Sequence, residues 1–219
     1  MNSYKLDLLT SLYIFCIAVS ELMGGKTFAL WHHGSFHLNA SVALFVVPII
    51  YCVNDTVTEV YGKARARSIV RSGLMVVALI LLFSLLAVHL PPSSRFLASE
   101  PAYDKIFSQS ARISFASLVA FATAEFLDVF LFSRLRQRLG ASKLWLRVNL
   151  SNFLSQFVDT GLFMFLAFYA FGKPLGDNVS FLFSLILPYW LLKSLMSVFE
   201  TPFVYLAAAW LRRDKPAEA

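Results

Sequence analysis

Six stretches of mostly apolar residues, at about 6–29, 38–60, 68–90, 112–133, 146–171 and 179–211, dominate this chain and set the terms of its folding. A helix needs about 20 such residues to cross the hydrocarbon core of a bilayer, so each stretch is long enough to span it. In lipid every backbone N–H and C=O must find its partner within the protein, which leaves helices and closed barrels as the only spanning structures. Uninterrupted apolar runs belong to helices. The expectation is an all-α integral membrane protein with six transmembrane helices, forming a single transmembrane domain over residues 1–219. The chain is 58% hydrophobic and 15% charged, with a mean hydropathy of +0.67, and its short connections leave no length for a soluble domain.

The first stretch holds Ala18 and Ser20 in a small-x-small pattern that resembles a signal-peptide cleavage site. Lys5 is offset by Asp7, however, and Ser11 and Tyr13 interrupt the apolar run, so it is read as a retained helix. Lys and Arg are held on the cytoplasmic side of membrane spans. Lys5, Lys63, Arg65, Arg67, Arg71, Arg134, Arg136, Arg138, Lys143, Arg147, Arg212, Arg213 and Lys215 flank the spans on one side. Only Arg95, Lys105, Arg112 and Lys173 flank them on the other, and Lys26 and Lys193 fall within spans. This asymmetry places both termini in the cytoplasm. It also accounts for the net charge of +6 without a nucleic-acid partner. The longest outer connection, PPSSRFLASEPAYDK, has room to cover a site or to carry a short interfacial helix.

The informative residues are those that lipid disfavours, because a carboxylate near the bilayer centre costs at least about 2.5 kcal/mol. Seven acids lie in or beside the spans: Glu21 on the first, Asp55 and Glu59 on the second, Glu125 and Asp128 on the fourth, Asp159 on the fifth and Glu200 on the sixth. Asn149, Asn152, Gln156 and Asp159 step by three and four, lining one helical face. Tyr189, Lys193, Ser197 and Glu200 repeat the pattern on the sixth span, and Glu125 and Asp128 are three apart on the fourth. Three helices thus offer polar stripes to a shared interior. These groups either line a pathway or ligand site or pair as interhelical glue, with Lys193 and either Asp159 or Glu125 as the obvious pair. Asp55 and Glu59 lie beside Arg65 and Arg67, where a salt bridge competes with a ligand role.

His33 and His37 are four apart, as metal ligands on a helix can be, but no acid or cysteine completes a set, and Cys16 and Cys52 show no metal or disulfide spacing. No metal or other cofactor is expected. Trp31, Trp145 and Trp210 fit the aromatic belts at the two interfaces, while Trp190 and most of the Phe residues are read as lipid-facing or packing. The chain has no GxSxG, HExxH or phosphate-binding loop and no intramembrane His, which argues against an enzyme. It also lacks the selectivity loop or ring of like side chains expected of a channel. Transport is the class that remains.

Four segments carry a resemblance to a known family: NDTVTEVYGKARAR, ARISFASLVAFATAEFLDVFLFSRLRQ, NFLSQFVDTGLF and LLKSLMSVFETPFVY. Together, in this order, they resemble the queuosine precursor transporter family, also called the vitamin uptake transporter family. The resemblance implies a fold similar to vitamin-binding S components and uptake of a small nucleobase, the cyano or aminomethyl 7-deazaguanine, across the bacterial inner membrane. It implies a substrate site drawn from Glu125 and Asp128 of AEFLD, Asn152, Gln156 and Asp159 of NFLSQFVDT, and Lys193 of LLKSLMS. Glu21, Asp55, Glu59 and Glu200 stand second. The alternative is an S component of an energy-coupling transporter for another vitamin-like substrate, recognisable by dependence on a partner ATPase module. Such components usually carry AxxxA in their first helix, where this chain has Ala18, Gly25 and Ala29. Homo-oligomerisation is left open.

Overall fold

The computed structural model describes residues 3–33, 36–139, 144–199 and 201–212. These form α1 (Ser3–Met23), β1 (Thr27–His33), β2 (Phe36–Ser41), a 3-10 turn (Val42–Phe45), α2 (Val47–Tyr61), α3 (Lys63–His89), α4 (Glu100–Leu139), α5 (Leu144–Phe168), α6 (Leu175–Phe199) and α7 (Thr201–Arg212). Helical segments Tyr4–Met23, Val42–Tyr61, Ala64–His89 and Leu175–Lys193 are each long and apolar enough to cross a membrane, and Phe153–Phe168 is a shorter apolar stretch. At about 1.5 Å per residue, the 21 residues of α1 alone reach the thickness of a hydrocarbon core. The chain is a multi-pass membrane protein.

The structure departs from the expected helix bounds in several places. The two strands form a hairpin where the sequence reading carried the first span to 29 and began the second at 38. Gly24 and Gly25 end α1, and the β-forming Thr27, Phe28 and Trp31 follow. Lys26, assigned to a span, instead lies exposed in the turn, where its carbonyl accepts from the Val42 N–H at 2.9 Å. The hairpin base is tied down by Ser41, whose Oγ donates to the Gly24 carbonyl at 2.6 Å and accepts from the Ala43 N–H at 3.1 Å. His33 and His37, expected in the loop between the first two spans, fall on the two strands. Helix α4 starts at Glu100, well before 112, so the second half of the long outer connection is helical.

The described residues cluster into two compact units. The first contains residues 1–28, 41–111 and 195–219. Its core joins Leu6, Leu9 and Tyr13 of α1 to Val53, Val57 and Val60 of α2, Ala66 and Ile69 of α3, and Ala208 and Leu211 of α7. Lys5 donates to the Trp210 carbonyl at 2.7 Å and lies 4.8 Å from that indole's centroid, so the start of α1 meets the end of α7. Gly62 joins α2 to α3 with φ of 81° and ψ of 167°, a conformation essentially restricted to glycine. Gly73 lets α1 and α3 approach closely, since a Cβ there would lie 2.6 Å from Ile17 Cδ1 and 2.9 Å from Tyr13 Cε1. Small residues serve this purpose between membrane helices, where apolar surface by itself gives no reason to associate.

The second unit contains residues 29–40 and 112–194. Its described apolar cluster is small, with Ile113 and Ala116 of α4 against Ala167 of α5. Hydrogen bonds supply much of the rest. Arg112 donates through Nε to the Leu166 carbonyl at 2.7 Å and through Nη2 to the Tyr169 carbonyl at 2.6 Å. A cation on the last carbonyls of α5 satisfies acceptors that the helix leaves over and complements its dipole. Asn178, 3% exposed, closes the α5–α6 turn by accepting from the Ala170 N–H and donating to the Ala170 carbonyl, at 2.8 and 2.9 Å. Asn39 of β2 donates to Ser184 Oγ of α6 at 2.8 Å.

Candidate functional site

The expected polar face of α5 meets α6 through a partly buried ion pair. Lys193 Nζ lies 2.5 Å from Asp159 Oδ2, with the Lys193 side chain 15% exposed and that of Asp159 24% exposed. Of the two expected partners for Lys193, the structure shows Asp159. One turn before Lys193 on α6, Trp190 is bracketed by Phe153 and Phe157 of α5, with ring centroids 4.7 and 5.4 Å away. The rings follow from spacing, because Phe153, Gln156, Phe157 and Thr160 recur at three and four along α5 and share a face. Gln156 is partly buried. The α5–α6 contact therefore combines an ion pair, an amide and three aromatic rings. Sequence reasoning missed Trp190 as a member of this group. Its position three residues before Lys193, on the same side of α6, was the available signal.

A charge pair in this setting is held for a reason other than cheap stability. Bringing two ions out of water costs several kcal/mol each, and their attraction offsets this only when the geometry is good. A carboxylate in such a pair can also accept N–H donors of another kind.

The other expected site residues are more scattered. The side chains of Glu125, Asp128 and Asn152, and Glu200 altogether, lie outside the described residues. Glu21, Asp55 and Glu59 belong to the first unit. Glu21 is 4% exposed near the end of α1. Asp55 and Glu59 line a groove of about 380 Å³ between α2 and α7, together with Tyr205 and Arg212. Glu59 accepts from Arg212 Nη2 at 2.6 Å, which corrects the expected pairing with Arg65 or Arg67. The cause is tertiary: α7 packs along α2 and brings its C-terminal cation to the carboxylate, while Arg65 and Arg67 at the start of α3 are exposed.

The comparisons with known proteins bear on this arrangement. A family model described as "Putative vitamin uptake transporter" matches residues 41–207, which takes in the α5–α6 pair and all four of the segments quoted above. The chain belongs to this vitamin uptake transporter family. It is a membrane transporter family for small molecules and not an enzyme family, which agrees with the absence of catalytic motifs. The "Probable queuosine precursor transporter" of Bacillus subtilis (strain 168) is 31% identical over 183 residues, 82% of this chain and 76% of that protein. The "Queuosine precursor transporter" of Escherichia coli (strain K12) is 30% identical over 125 residues, 57% of this chain and 53% of that protein. No solved structure matches.

Proposed function

We propose that this chain imports queuosine precursors, 7-cyano-7-deazaguanine or 7-aminomethyl-7-deazaguanine, across a bacterial inner membrane. The observation that carries this reading is the Asp159–Lys193 pair beside Gln156, in a chain whose relatives bear the names of queuosine precursor transporters. A guanine-like edge presents two parallel N–H donors, and a carboxylate accepts such a fork as it accepts a guanidinium. Asp159 takes that fork in exchange for Lys193, and Gln156 supplies a further amide. Glu125, Asp128 and Asn152 complete the site, with Glu21, Asp55, Glu59 and Glu200 as secondary candidates.

Both termini face the cytoplasm in this reading, with six spans. The support is the basic-residue asymmetry, together with the way Lys5, Arg65, Arg67 and Arg212 gather at the end of the first unit where α1 begins, α2 meets α3 and α7 ends. Intramembrane carboxylates suit coupling to a proton gradient.

The test is uptake in a bacterium that cannot make the precursor and lacks its own transporter. Trace external base is supplied and queuosine is measured in transfer RNA. Restoration that disappears with Asp159→Asn, and stays lost in Asp159→Asn/Lys193→Met at normal protein levels, supports the reading and its site. Normal protein levels without restoration refute it, and restoration only on addition of a partner ATPase module identifies an S component instead.

A further inference from the structure

Trp190 was expected to pack or to face lipid, yet its indole nitrogen is fully shielded and finds no acceptor among the described residues. In a hydrocarbon setting no water stands in, so a donor left bare is costly and calls for an explanation. Phe153 meets the Trp190 ring at 60° and Phe157 at 78°, from successive turns of α5.

A second orphan lies on the same face of α5. Thr160, three residues beyond Phe157 and seven beyond Phe153, is 1% exposed, and its hydroxyl has no partner among the described residues. Three other helical threonines satisfy themselves from the carbonyl four residues back. Thr10 does so on Leu6 at 2.9 Å, Thr58 on Asn54 at 2.8 Å and Thr123 on Val119 at 2.8 Å. Among the described residues Thr56 of α2 also has a buried, unpartnered hydroxyl, but it lines a groove that is otherwise apolar apart from Cys52. Of these two threonines, Thr160 is the one beside an ion-paired carboxylate, Asp159, and Trp190 precedes that carboxylate's partner Lys193 by one turn.

We infer that Trp190 and Thr160 are substrate-binding residues, and that the α5–α6 site takes a planar heterocycle carrying a hydrogen-bond acceptor on its rim. The indole N–H donates to that acceptor, a ring carbonyl or a nitrile. Thr160 closes a second polar contact, and Asp159 takes the N–H edge. A ligand that offered only donors would satisfy Asp159 and leave Trp190 bare. This assignment rests on the reading under Proposed function, because it names further contacts of the same site.

The experiment measures equilibrium binding of 7-cyano-7-deazaguanine and of 7-aminomethyl-7-deazaguanine to the purified full chain in lipid nanodiscs. Three forms are compared with wild type: Trp190→Phe, a form with β-(3-benzothienyl)alanine at position 190, and Trp31→Phe. The benzothienyl side chain keeps the bicyclic ring and replaces the N–H by sulfur, so it decides the matter if Trp190→Phe misfolds. Loss of the donor is expected to weaken binding roughly tenfold or more, the scale of an unsatisfied buried group, with unchanged melting temperature and with Trp31→Phe at the wild-type affinity. Wild-type binding that the benzothienyl form retains in full overturns the inference and leaves the proposed function standing. A wild-type chain that binds neither base overturns the proposed function and the inference with it.

Discussion

The two units hold themselves together by different means, and the contrast is sharpest in their ion pairs. The first unit packs apolar and small side chains, with Gly73 under Tyr13 and Ile17, and its pair Arg212–Glu59 sits at the margin with side chains 55% and 56% exposed. Among its described residues the second unit has a small apolar cluster, joined by the hydrogen bonds of Arg112, Asn178 and the Asn39–Ser184 pair. Its pair, Lys193–Asp159, is 15% and 24% exposed. The separations, 2.6 and 2.5 Å, are nearly equal. Distance is therefore no guide to what either pair is worth. Surroundings decide it, since water and salt screen the exposed pair while the buried one is left to its own partners. A carrier needs polar groups that can change partners. It can place them only where packing does not depend on apolar fit alone.

The largest expected effect comes from breaking the buried pair on one side. Asp159→Asn takes the carboxylate away from the Lys193 ammonium and should cost about 3 to 5 kcal/mol of stability, with loss of uptake. Combining it with Lys193→Met removes both charges. Melting temperature in detergent should then return most of the way, while uptake should not. If the double variant transports, the pair is only a staple and the contrast between the units collapses. Arg112→Met probes the same unit away from the site. Losing two charge-assisted bonds to the end of α5 should cost about 1.5 to 3 kcal/mol in thermal unfolding, with uptake per folded molecule retained. A specific loss of uptake there would extend the site to the end of α5.

Gly73→Val tests the packed unit by the opposite route. A branched side chain pushed against the Tyr13 ring should destabilise by about 1 to 3 kcal/mol, and no change of charge elsewhere should rescue it. Replacing Ile17 by Ala in the same chain should recover part of the loss, since Ile17 Cδ1 is the nearest atom to the new Cβ. Absence of any destabilisation would mean that α1 and α3 are not held by close fit.

Much of this was legible in the residues. The apolar runs marked α1, α2, α3 and α6, and a polar helical face with few cations in lipid narrowed the partner of Lys193 to Asp159 or Glu125, of which the structure shows Asp159. The hairpin was not legible, because Thr27–Ser41 is apolar enough to merge with the neighbouring runs and hydropathy does not distinguish strand from helix there. The early start of α4 was hidden for the opposite reason. Glu100, Asp104 and Lys105 read as a loop by charge, although most residues from 100 to 111 are good helix formers. Arg212 lies 153 residues from Glu59, so only tertiary packing could reveal that contact. Trp190 escaped because an indole in an apolar run reads as packing, and the want of an acceptor becomes visible only once its surroundings are known.

The smallest expected effect completes the contrast. Glu59→Gln or Arg212→Gln removes a pair whose members are both more than half exposed, and such pairs are worth about 0 to 1 kcal/mol. The melting temperature should move by no more than a degree or two. Raising salt from about 0.1 to 1 M shortens the screening length from roughly 10 to 3 Å and should erase even that difference, whereas it should leave the cost of Asp159→Asn nearly intact. A large loss for either marginal variant, insensitive to salt, would show that the α2–α7 groove is sheltered in the membrane. Asp55 and Glu59 would then face the same cost of bare charge as Asp159 does, and the groove they line would rank with the α5–α6 face as a place where substrate is held.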